Sequence, residues 1–473
     1  MNPMNEQRPI ERNDRQAGPV VVEESSLRYM LQKQNLLLVA FLIIAILTVT
    51  GAGVAVIYAV VEHFSLTFAD SFDEPSLTTV SRRREARIAM QKAPDGGMAK
   101  VVFCFIKPRP MATSPHVFRL DNDTASYCDA IVYTSLGIHD TGTRIRSRNH
   151  GVDVSAKGFQ RLVALKKASG RPITIWICVG GGEREDEQFK TMVSSRATRL
   201  SFINSVIRWM KEHTFDGVVV YWRYPSADAK SNFSTFINTL QFLCNKVNLR
   251  MTLVIPWNLA TRRRGYLARS VYAQMDYVIV DSHKTVDPRS FPVTTCQSPT
   301  RSTFRARRHG QVGLAEILDD LSLETDHLKR TVLSVSLGGI SFTVKSPKKH
   351  RMGTAAKGAG SPLGFTNNRL GVVSYYDVKE TLLTNASWTE YYHTSARCAV
   401  AYNEDQWIGF ENRESIQGKR PLVRRISGMA VWDLEMDDFA GGLGPAWPLL
   451  AEVHDVVHSQ APYDLVTLKL SAS

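Results

Sequence analysis

Residues 215–225, which read F-D-G-V-V-V-Y-W-R-Y-P, decide the fold of this chain. Consecutive valines follow Gly217, and Tyr224-Pro225 closes the run. A short apolar run bounded by turn residues is typical of a strand that is buried within a parallel sheet. We therefore predict that these residues form a buried strand ending in a loop.

Further apolar runs of strand length alternate with helical patterns from residue 100 onward, which favours a parallel α/β arrangement. The predicted strands are 101–106, 130–134, 173–179, 218–222, 251–256, 277–281, 332–337 and 429–433. Eight parallel strands with intervening helices make a (β/α)8 TIM barrel, in which the loops after the strands form the functional face.

Residues 215–225 resemble the fourth-strand signature of the family 18 glycoside hydrolases, the chitinases and chitinase-like proteins. That signature reads F-D-G-x-D-x-D-W-E-Y-P, and the matching positions are Asp216, Gly217, Trp222, Tyr224 and Pro225. The segments V-G-G at 179–181, S-L-G-G-I-S-F-T at 336–343 and G-M-A-V-W at 428–432 are similar to other family strands. The resemblance covers about residues 100–445 and implies a TIM barrel over 99–458, with a small α+β insertion at 341–410.

The acidic positions of the signature are substituted. Val219 and Tyr221 stand at the second and third Asp, and Arg223 stands at the Glu that protonates the leaving oxygen in the family. The substrate's own N-acetyl group is the family's nucleophile, and the Asp before the Glu holds it. Arg223 cannot donate that proton, because its pKa lies above about 12, and its charge opposes the cation that forms. Although Asp216 is kept, we predict an inactive pseudoenzyme without catalytic residues.

The predicted groove keeps some family positions and loses others. The sixth strand normally ends M-T-Y-D, and the corresponding residues here are Asp281-Ser282-His283-Lys284. Trp432 stands where the family has the floor of its central subsite. We therefore expect Trp432, Tyr221, Arg223 and His283 to contact a ligand. A relocated acid would have to come from loop carboxylates, namely Glu183, Glu185, Asp186 and Glu435. No zinc-ligand spacing is present, and no cofactor is implied.

The predicted functional face is rich in arginine and lysine. The chain of 473 residues carries a net charge of +13, which favours an anionic partner or surface. The basic residues in the loops after the strands are Arg144, Arg146, Arg148, Arg223, Arg262, Arg263, Arg264, Lys284, Arg289, Arg301, Arg305, Arg307, Arg308, Lys348, Lys349 and Arg351. We expect Arg262, Arg263 and Arg264 to bind a sulfated polysaccharide or an acidic protein; flexible solubilising loops are the alternative.

The N-terminal region predicts a membrane anchor. Residues 1–35 are polar and are expected to form a disordered cytosolic tail. Residues 36–61 are uncharged and, at about 1.5 Å per residue, exceed a hydrocarbon core of about 30 Å. Basic residues before the span and acidic residues after it predict a type II orientation. A stem at 62–98 follows, where shedding near Arg87 is conceivable, and a C-terminal tail occupies 459–473.

Cysteines and glycosylation sequons all follow that span, which agrees with an extracellular or lumenal barrel. Nucleic acid is therefore not an expected partner. The sequons lie at Asn122, Asn232 and Asn385. The resemblance implies a disulfide between Cys104 and Cys128. Cys178 is expected to stay free in a buried strand, and the pairing of Cys244, Cys296 and Cys398 stays open.

The leading interpretation is a membrane-anchored, chitinase-like pseudoenzyme that binds chitin-type or other glycans through the barrel groove. A second is an interaction or signalling ectodomain that binds anionic glycans or proteins through a basic face. A third is a weakly active glycosidase with displaced acids.

Overall fold

The computed structural model describes residues 99–107, 122–155, 157–182, 185–325, 327–363 and 370–459. The predicted tail at 1–35, span at 36–61 and stem at 62–98 lie outside these residues, as does the C-terminal tail beyond Ser459. Among the helices of the described part, none combines the length and the apolar character that a membrane crossing requires.

The strands form two sheets. In chain order they are β1 Val101–Ile106, β2 Ala130–Ile138, β3 Ile145–Arg146, β4 Thr174–Gly180, β5 Gly217–Tyr221, β6 Arg250–Ile255, β7 Val278–Val280, β8 Thr331–Ser336, β9 Gly339–Val344, β10 Ala356–Ala359, β11 Val372–Val373, β12 Thr389–His393, β13 Cys398–Asn403, β14 Gln406–Phe410 and β15 Gly428–Trp432.

Helices connect the strands or cover their outer faces. In chain order they are α1 Asn122–Tyr127, α2 Gly158–Ala168, α3 Asp186–Val193, α4 Arg196–Glu212, α5 Lys230–Lys246, α6 Leu259–Gly265, α7 Ala268–Gln274, α8 Phe304–Arg308, α9 Leu314–Glu324, α10 Tyr375–Thr384, α11 Arg413–Gln417, α12 Arg420–Val423 and α13 Pro448–His458.

Parallel pairing closes the first sheet into a barrel. Its order is β1-β15-β8-β7-β6-β5-β4-β2, and β2 pairs in turn with β1. Phe103 of β1 pairs with Ala130 of β2, and Trp176 of β4 pairs with Gly217 of β5. The predicted (β/α)8 barrel is therefore confirmed.

Alternate strand residues fill the barrel interior, because successive side chains of a strand point to opposite faces. At the amino ends of the strands Phe103 packs edge-on against Trp176 and Tyr277. At the carboxyl ends Tyr221 packs edge-on against Trp432. The interior is a packed core, so a ligand of the barrel groove has to bind at the carboxyl-end opening.

The outer faces of the strands pack against amphipathic helices. In α4 a capping box between Ser195 and Thr198 satisfies the first amide groups, which fixes where the helix begins. Phe202, Val206 and Met210 are then buried at helical spacing against the barrel.

The second sheet is a largely antiparallel insertion between β8 and β15. Its order is β10-β9-β14-β13-β12, with β11 beside β9. One face packs under α10 through Val378, Ile408 and Phe410. The other face covers the segment that follows β7, where Cys296 forms a disulfide with Cys398 of β13.

The predicted Cys104–Cys128 disulfide is present and ties β1 to the residues before β2. Cys178 is a free, buried thiol, as expected, and Cys244 is a buried thiol that takes part in neither disulfide. The sequence left the Cys296–Cys398 pair open because its partners lie far apart in the chain and meet only through the insertion sheet.

Candidate ligand site at the barrel mouth

The substituted acidic positions of β5 face the barrel interior. Val219 and Tyr221 are buried in the inner core. Arg223 follows two residues later, half-buried, with its guanidinium carbon 5.3 Å from the centre of the Tyr221 ring. The three positions therefore carry an apolar, a phenolic and a cationic side chain in place of carboxylates.

Asp216, the one acidic residue of the signature that is kept, lies at the opposite end of β5. Its carboxylate accepts hydrogen bonds from Lys166 Nζ at 2.6 Å and from the Ile175 amide at 2.8 Å. Asp216 thus stabilises the beginnings of β4 and β5, and it does not contribute to the barrel mouth.

A glycine pair lets Tyr221 lie against the end of β4. The Gly181 amide donates a 2.7 Å hydrogen bond to the Tyr221 carbonyl. A Cβ atom on Gly181 would lie 2.8 Å from the Tyr221 ring, and its φ of +83° also favours glycine. The local sequence therefore fixes the position of this ring.

The barrel mouth is defined here by Lys107, Arg223, Asp281, His283 and Trp432. Asp281 Oδ2 accepts a 2.7 Å hydrogen bond from the Tyr221 hydroxyl, and Oδ1 accepts one of 2.9 Å from the Trp257 amide. Burial raises the pKa of Asp281 to about 6, and these hydrogen bonds and the Arg223 charge limit the rise. At neutral pH the mouth therefore holds a half-buried carboxylate that the sequence did not single out.

His283 is buried beside Asp281 and is held through Ser334. The Ser334 hydroxyl donates to the Val280 carbonyl at 2.8 Å and accepts from the His283 amide at 3.1 Å. Because its one hydrogen is then used, His283 Nδ1, 2.8 Å away, acts as the donor. Burial, together with the charges of Arg223, Lys107 and Lys284, places the pKa of His283 well below its ordinary value, so the imidazole is neutral.

Trp432 has both ring faces covered. Phe105 stacks on it with ring centres 3.8 Å apart, and His283 stacks on it at 4.3 Å. Two rings at these spacings cannot share one face, so they lie on opposite faces of the indole. Trp432 is 8% exposed. Trp432 therefore does not present an open platform for a sugar ring, and its contact with a ligand stays a prediction.

Cationic groups surround the neutral His283. Lys107, which follows β1, pairs with Asp433 next to Trp432. The positive charges of Arg223, Lys107 and Lys284 all lower the pKa of His283, which shows that they act at the same place. The centre of the mouth is therefore basic apart from Asp281 and Asp433.

Two of the loop carboxylates that were considered as displaced acids, Glu185 and Asp186, have structural partners. Glu185 pairs with Arg148 and accepts a 3.0 Å hydrogen bond from the Gly182 amide. Asp186 accepts a 2.8 Å hydrogen bond from the Trp222 indole. Glu435 lies half-buried in the short helix Leu434–Met436, and Glu183 lies outside the described residues.

The prediction that Arg262 contributes to an exposed ligand surface is wrong. Its side chain is 1% exposed, and its Nε atom lies 2.8 Å from Glu324 Oε2. A second guanidinium nitrogen donates to the Pro256 carbonyl at 3.1 Å. Arg263 and Arg264 are exposed, and Arg263 lies 3.7 Å from the same glutamate. Arg262 is therefore a core residue that holds α6 and α9 at the end of β6.

Strand periodicity is the signal that would have found the missed residues. Tyr277 and Ile279 point into the barrel, so positions 281 and 283 continue the same face beyond β7. The same alternation places Phe105 above Phe103. The family motif does not indicate an acidic residue at this position, because Asp281 stands where the family has Met.

Two of the predicted glycosylation sites are accessible. Asn232 is exposed on α5, and Asn385 is exposed immediately after α10. Asn385 Oδ1 accepts a 2.6 Å hydrogen bond from the Ser387 hydroxyl of its own sequon. The side chain of Asn122 lies outside the described part.

Known proteins resemble this chain over the barrel. Endochitinase from Manduca sexta is 26% identical over 348 residues, which are 69% of this chain and 62% of that protein, so the match covers less than two thirds of that relative. Human chitinase-3-like protein 2 is 24% identical over 76% of this chain and 93% of its own length.

Solved structures share the same fold. The Ostrinia furnacalis Group IV chitinase in complex with allosamidin has a TM-score of 0.70 at 22% identity and covers 76% of this chain and 98% of its own. Human YKL-39, described as a pseudo-chitinase with retained chitooligosaccharide binding properties, has a TM-score of 0.68 at 21% identity and covers 76% and 100%.

The family described as Glycosyl hydrolases family 18 matches residues 104–437, well over half of the chain. Its matched region runs from β1 to the residues just after β15 and includes the whole barrel mouth. The chain is a member of glycosyl hydrolase family 18.

Proposed function

We propose that this chain is a catalytically inactive family 18 protein whose barrel mouth binds a glycan without cleaving it. The observation that carries the proposal is Arg223 at the position of the family acid, with its guanidinium over Tyr221 and its charge acting on Asp281 and His283. A permanently protonated guanidinium cannot deliver a proton to a leaving oxygen, and it repels the developing cation.

Asp281 is the strongest candidate for a displaced acid, and its surroundings oppose that role. Both of its oxygens already accept hydrogen bonds, one from Tyr221 and one from the Trp257 amide. These donors favour the ionised form and leave the carboxylate directed at protein groups. A general acid needs a proton and a free path to the leaving oxygen, so hydrolysis through Asp281 is the weaker alternative.

The proposed ligand is a chitin-type oligosaccharide that binds at the rim of the mouth. The YKL-39 relative supports this class, because it is described as retaining chitooligosaccharide binding in a pseudo-chitinase. Because both faces of Trp432 are covered, we expect the ligand to bind nearer the rim, at Tyr224 and Trp257. Tyr224 follows β5 and is 56% exposed, and Trp257 follows β6 and is half-buried. Aromatic rings at a rim offer stacking surfaces with little loss of conformational entropy.

A calorimetric titration of the full-length chain with a chitin tetramer tests this proposal. We expect saturable binding without cleavage. We expect His283→Ala to bind more tightly, because it uncovers one face of Trp432. The control His309→Ala removes an exposed imidazole on the segment after α8 and should leave binding unchanged. No binding by either the wild type or His283→Ala would contradict the glycan-binding proposal.

We also propose that residues 36–61 anchor the chain as a type II membrane protein with residues 99–458 outside the cytosol. The exposed sequon at Asn385 supports this topology. In sealed microsomes the barrel should resist added protease, and removal of N-linked glycans should increase gel mobility. The variant Asn385→Gln serves as the control. Digestion of the barrel in intact vesicles would contradict the proposed orientation.

A further inference from the structure

Some basic residues of the functional face are ion-paired within the described part of the chain, and others are not. Several are neutralised by acidic neighbours: Arg148 by Glu185, Arg262 by Glu324, Arg289 by Asp287 and Arg307 by Glu316. Another set is exposed and makes no ion pair to any residue that the structure describes. We call this set the basic patch: Arg301, Arg305, Arg308, Lys345, Lys348, Lys349 and Arg351.

The patch comes from two segments, residues 301–308 after β7 and residues 345–351 after β9. A guanidinium nitrogen of Arg305 donates to the Gly353 carbonyl at 3.3 Å. A Cβ atom on Gly353 would lie 3.4 Å from the Arg305 Cβ, so the two segments are in van der Waals contact. Charges that are distant in sequence therefore form one surface.

The loop that carries Lys348, Lys349 and Arg351 is held by one buried and two partly buried aromatic residues. The His350 carbonyl accepts hydrogen bonds from the Trp407 indole at 2.8 Å and from the Tyr391 hydroxyl at 3.1 Å. The His350 ring stacks on Tyr402 with ring centres 4.0 Å apart. Fixing the backbone in advance reduces the entropy lost on binding.

The other segment is anchored as firmly. The Thr300 amide donates to the Ala396 carbonyl at 2.7 Å, and the Thr303 hydroxyl caps α8. The Cys296–Cys398 disulfide joins the preceding residues to the insertion sheet. Both segments thus present their charges from backbones that are tied to the same sheet.

We propose that the basic patch binds a sulfated polysaccharide. Sulfate stays ionised at physiological pH, and the planar guanidinium of arginine binds such groups in a bidentate manner. A polyanion matches a surface of exposed, unpaired cations, whereas a stable protein interface needs an apolar centre. Phe304, within the first segment of the patch, is 73% exposed, but its ring lies under the Arg308 guanidinium and does not form an apolar centre. The patch shares no residue with the barrel mouth, so the proposal does not depend on the proposed chitin binding.

A heparin oligosaccharide of defined length is the probe, titrated into the full-length chain purified in a non-ionic detergent. We expect saturable binding that weakens steeply as the NaCl concentration rises. The variant Lys348→Gln/Lys349→Gln/Arg351→Gln should bind roughly tenfold more weakly or worse. Arg305→Gln/Arg308→Gln should also weaken binding, since both segments form the surface. A loss confined to one segment would overturn the patch as defined.

A matched variant removes the same charge elsewhere. Arg161→Gln, Lys167→Gln and Arg208→Gln change exposed residues of α2 and α4, and together they should leave heparin affinity within about twofold of the wild type. An equal loss in this variant would overturn the patch in favour of general charge. Equal binding of hyaluronan, which has carboxylates but no sulfate, would overturn the sulfate assignment. Binding to phosphatidylserine vesicles but not to heparin would overturn the polysaccharide class in favour of a lipid surface.

Discussion

The Tyr221 hydroxyl donates a 2.7 Å hydrogen bond to Asp281 Oδ2 and so joins β5 to the end of β7 across the barrel mouth. Family 18 members that match the motif have Asp at the first of these positions and Met at the second. In this chain the acidic side chain therefore stands on another strand, where a phenol and a backbone amide hold it. The mouth thus holds its carboxylate at a position where the family motif has none.

Restoring the family motif on β5 alone should not restore hydrolysis. In Val219→Asp/Tyr221→Asp/Arg223→Glu the new carboxylates would face Asp281 without the Tyr221 donor or the Arg223 charge, and His283 would still cover Trp432. Adding Asp281→Met removes the facing carboxylate, and adding His283→Ala uncovers one face of Trp432, so the combined variant should give measurable turnover of a fluorogenic chito-oligosaccharide. Activity in the triple variant without the two further substitutions would contradict this prediction, because it would show that the other residues of the mouth still support hydrolysis.

The stability contribution of Asp281 should depend on pH. Its pKa in the native state, about 6, lies above its ordinary value of 3.8, because burial penalises the charge. The native state then binds more protons than the unfolded state, so this contribution is fully present below about pH 3.8 and is lost as the pH rises through about 6.

Asp281→Asn should therefore gain stability relative to the wild type between pH 4 and pH 8, by up to about 3 kcal/mol. Urea unfolding of both proteins at the two pH values measures this difference, and effects that do not depend on pH cancel. Asp140→Asn, at an exposed position, controls for the loss of one charge. A difference that does not change with pH would contradict a raised pKa of Asp281 in the native state.

The buried Arg262–Glu324 pair should be sensitive to the loss of one partner. Arg262→Met leaves the Glu324 carboxylate buried with only the more distant Arg263 nearby, and should lower the free energy of unfolding by about 3–5 kcal/mol. Arg264→Met changes the exposed neighbour two residues later and should cost less than about 0.5 kcal/mol. Equal effects in denaturant unfolding would contradict the different placements of these arginines.

Removing the insertion disulfide should cost more stability than removing the barrel disulfide. Cys296 and Cys398 are separated by 102 residues, whereas Cys104 and Cys128 are separated by 24. Loop-closure entropy makes the Cys296→Ala/Cys398→Ala variant about 1 kcal/mol less stable than Cys104→Ala/Cys128→Ala, and all four sites are comparably buried. The reverse order in thermal or denaturant unfolding would contradict this account.

The sequence predicted the architecture well because strand runs and family motifs are local signals. The barrel strands, the Cys104–Cys128 bridge and the free Cys178 followed from them. The site was harder, because it depends on contacts between strands. Nothing local indicates that Glu324 on α9 draws Arg262 inward.

Contacts across the mouth were equally hidden. That His283 lies on Trp432 follows from barrel closure, which brings β7 and β15 to either side of β8. The same holds for the basic patch, because the Arg305–Gly353 contact joins segments that are separated in the sequence by α9, β8 and β9.

Whether the barrel mouth is inactive is decided by the turnover of chitin tetramer by the full-length chain, followed from pH 4 to pH 8 alongside an active chitinase. We expect no cleavage at any pH, because Arg223 replaces the acid and Asp281 is held by Tyr221 and the Trp257 amide. Cleavage that Asp281→Asn abolishes would contradict this expectation and would establish an enzyme whose acid has moved from β5 to the end of β7.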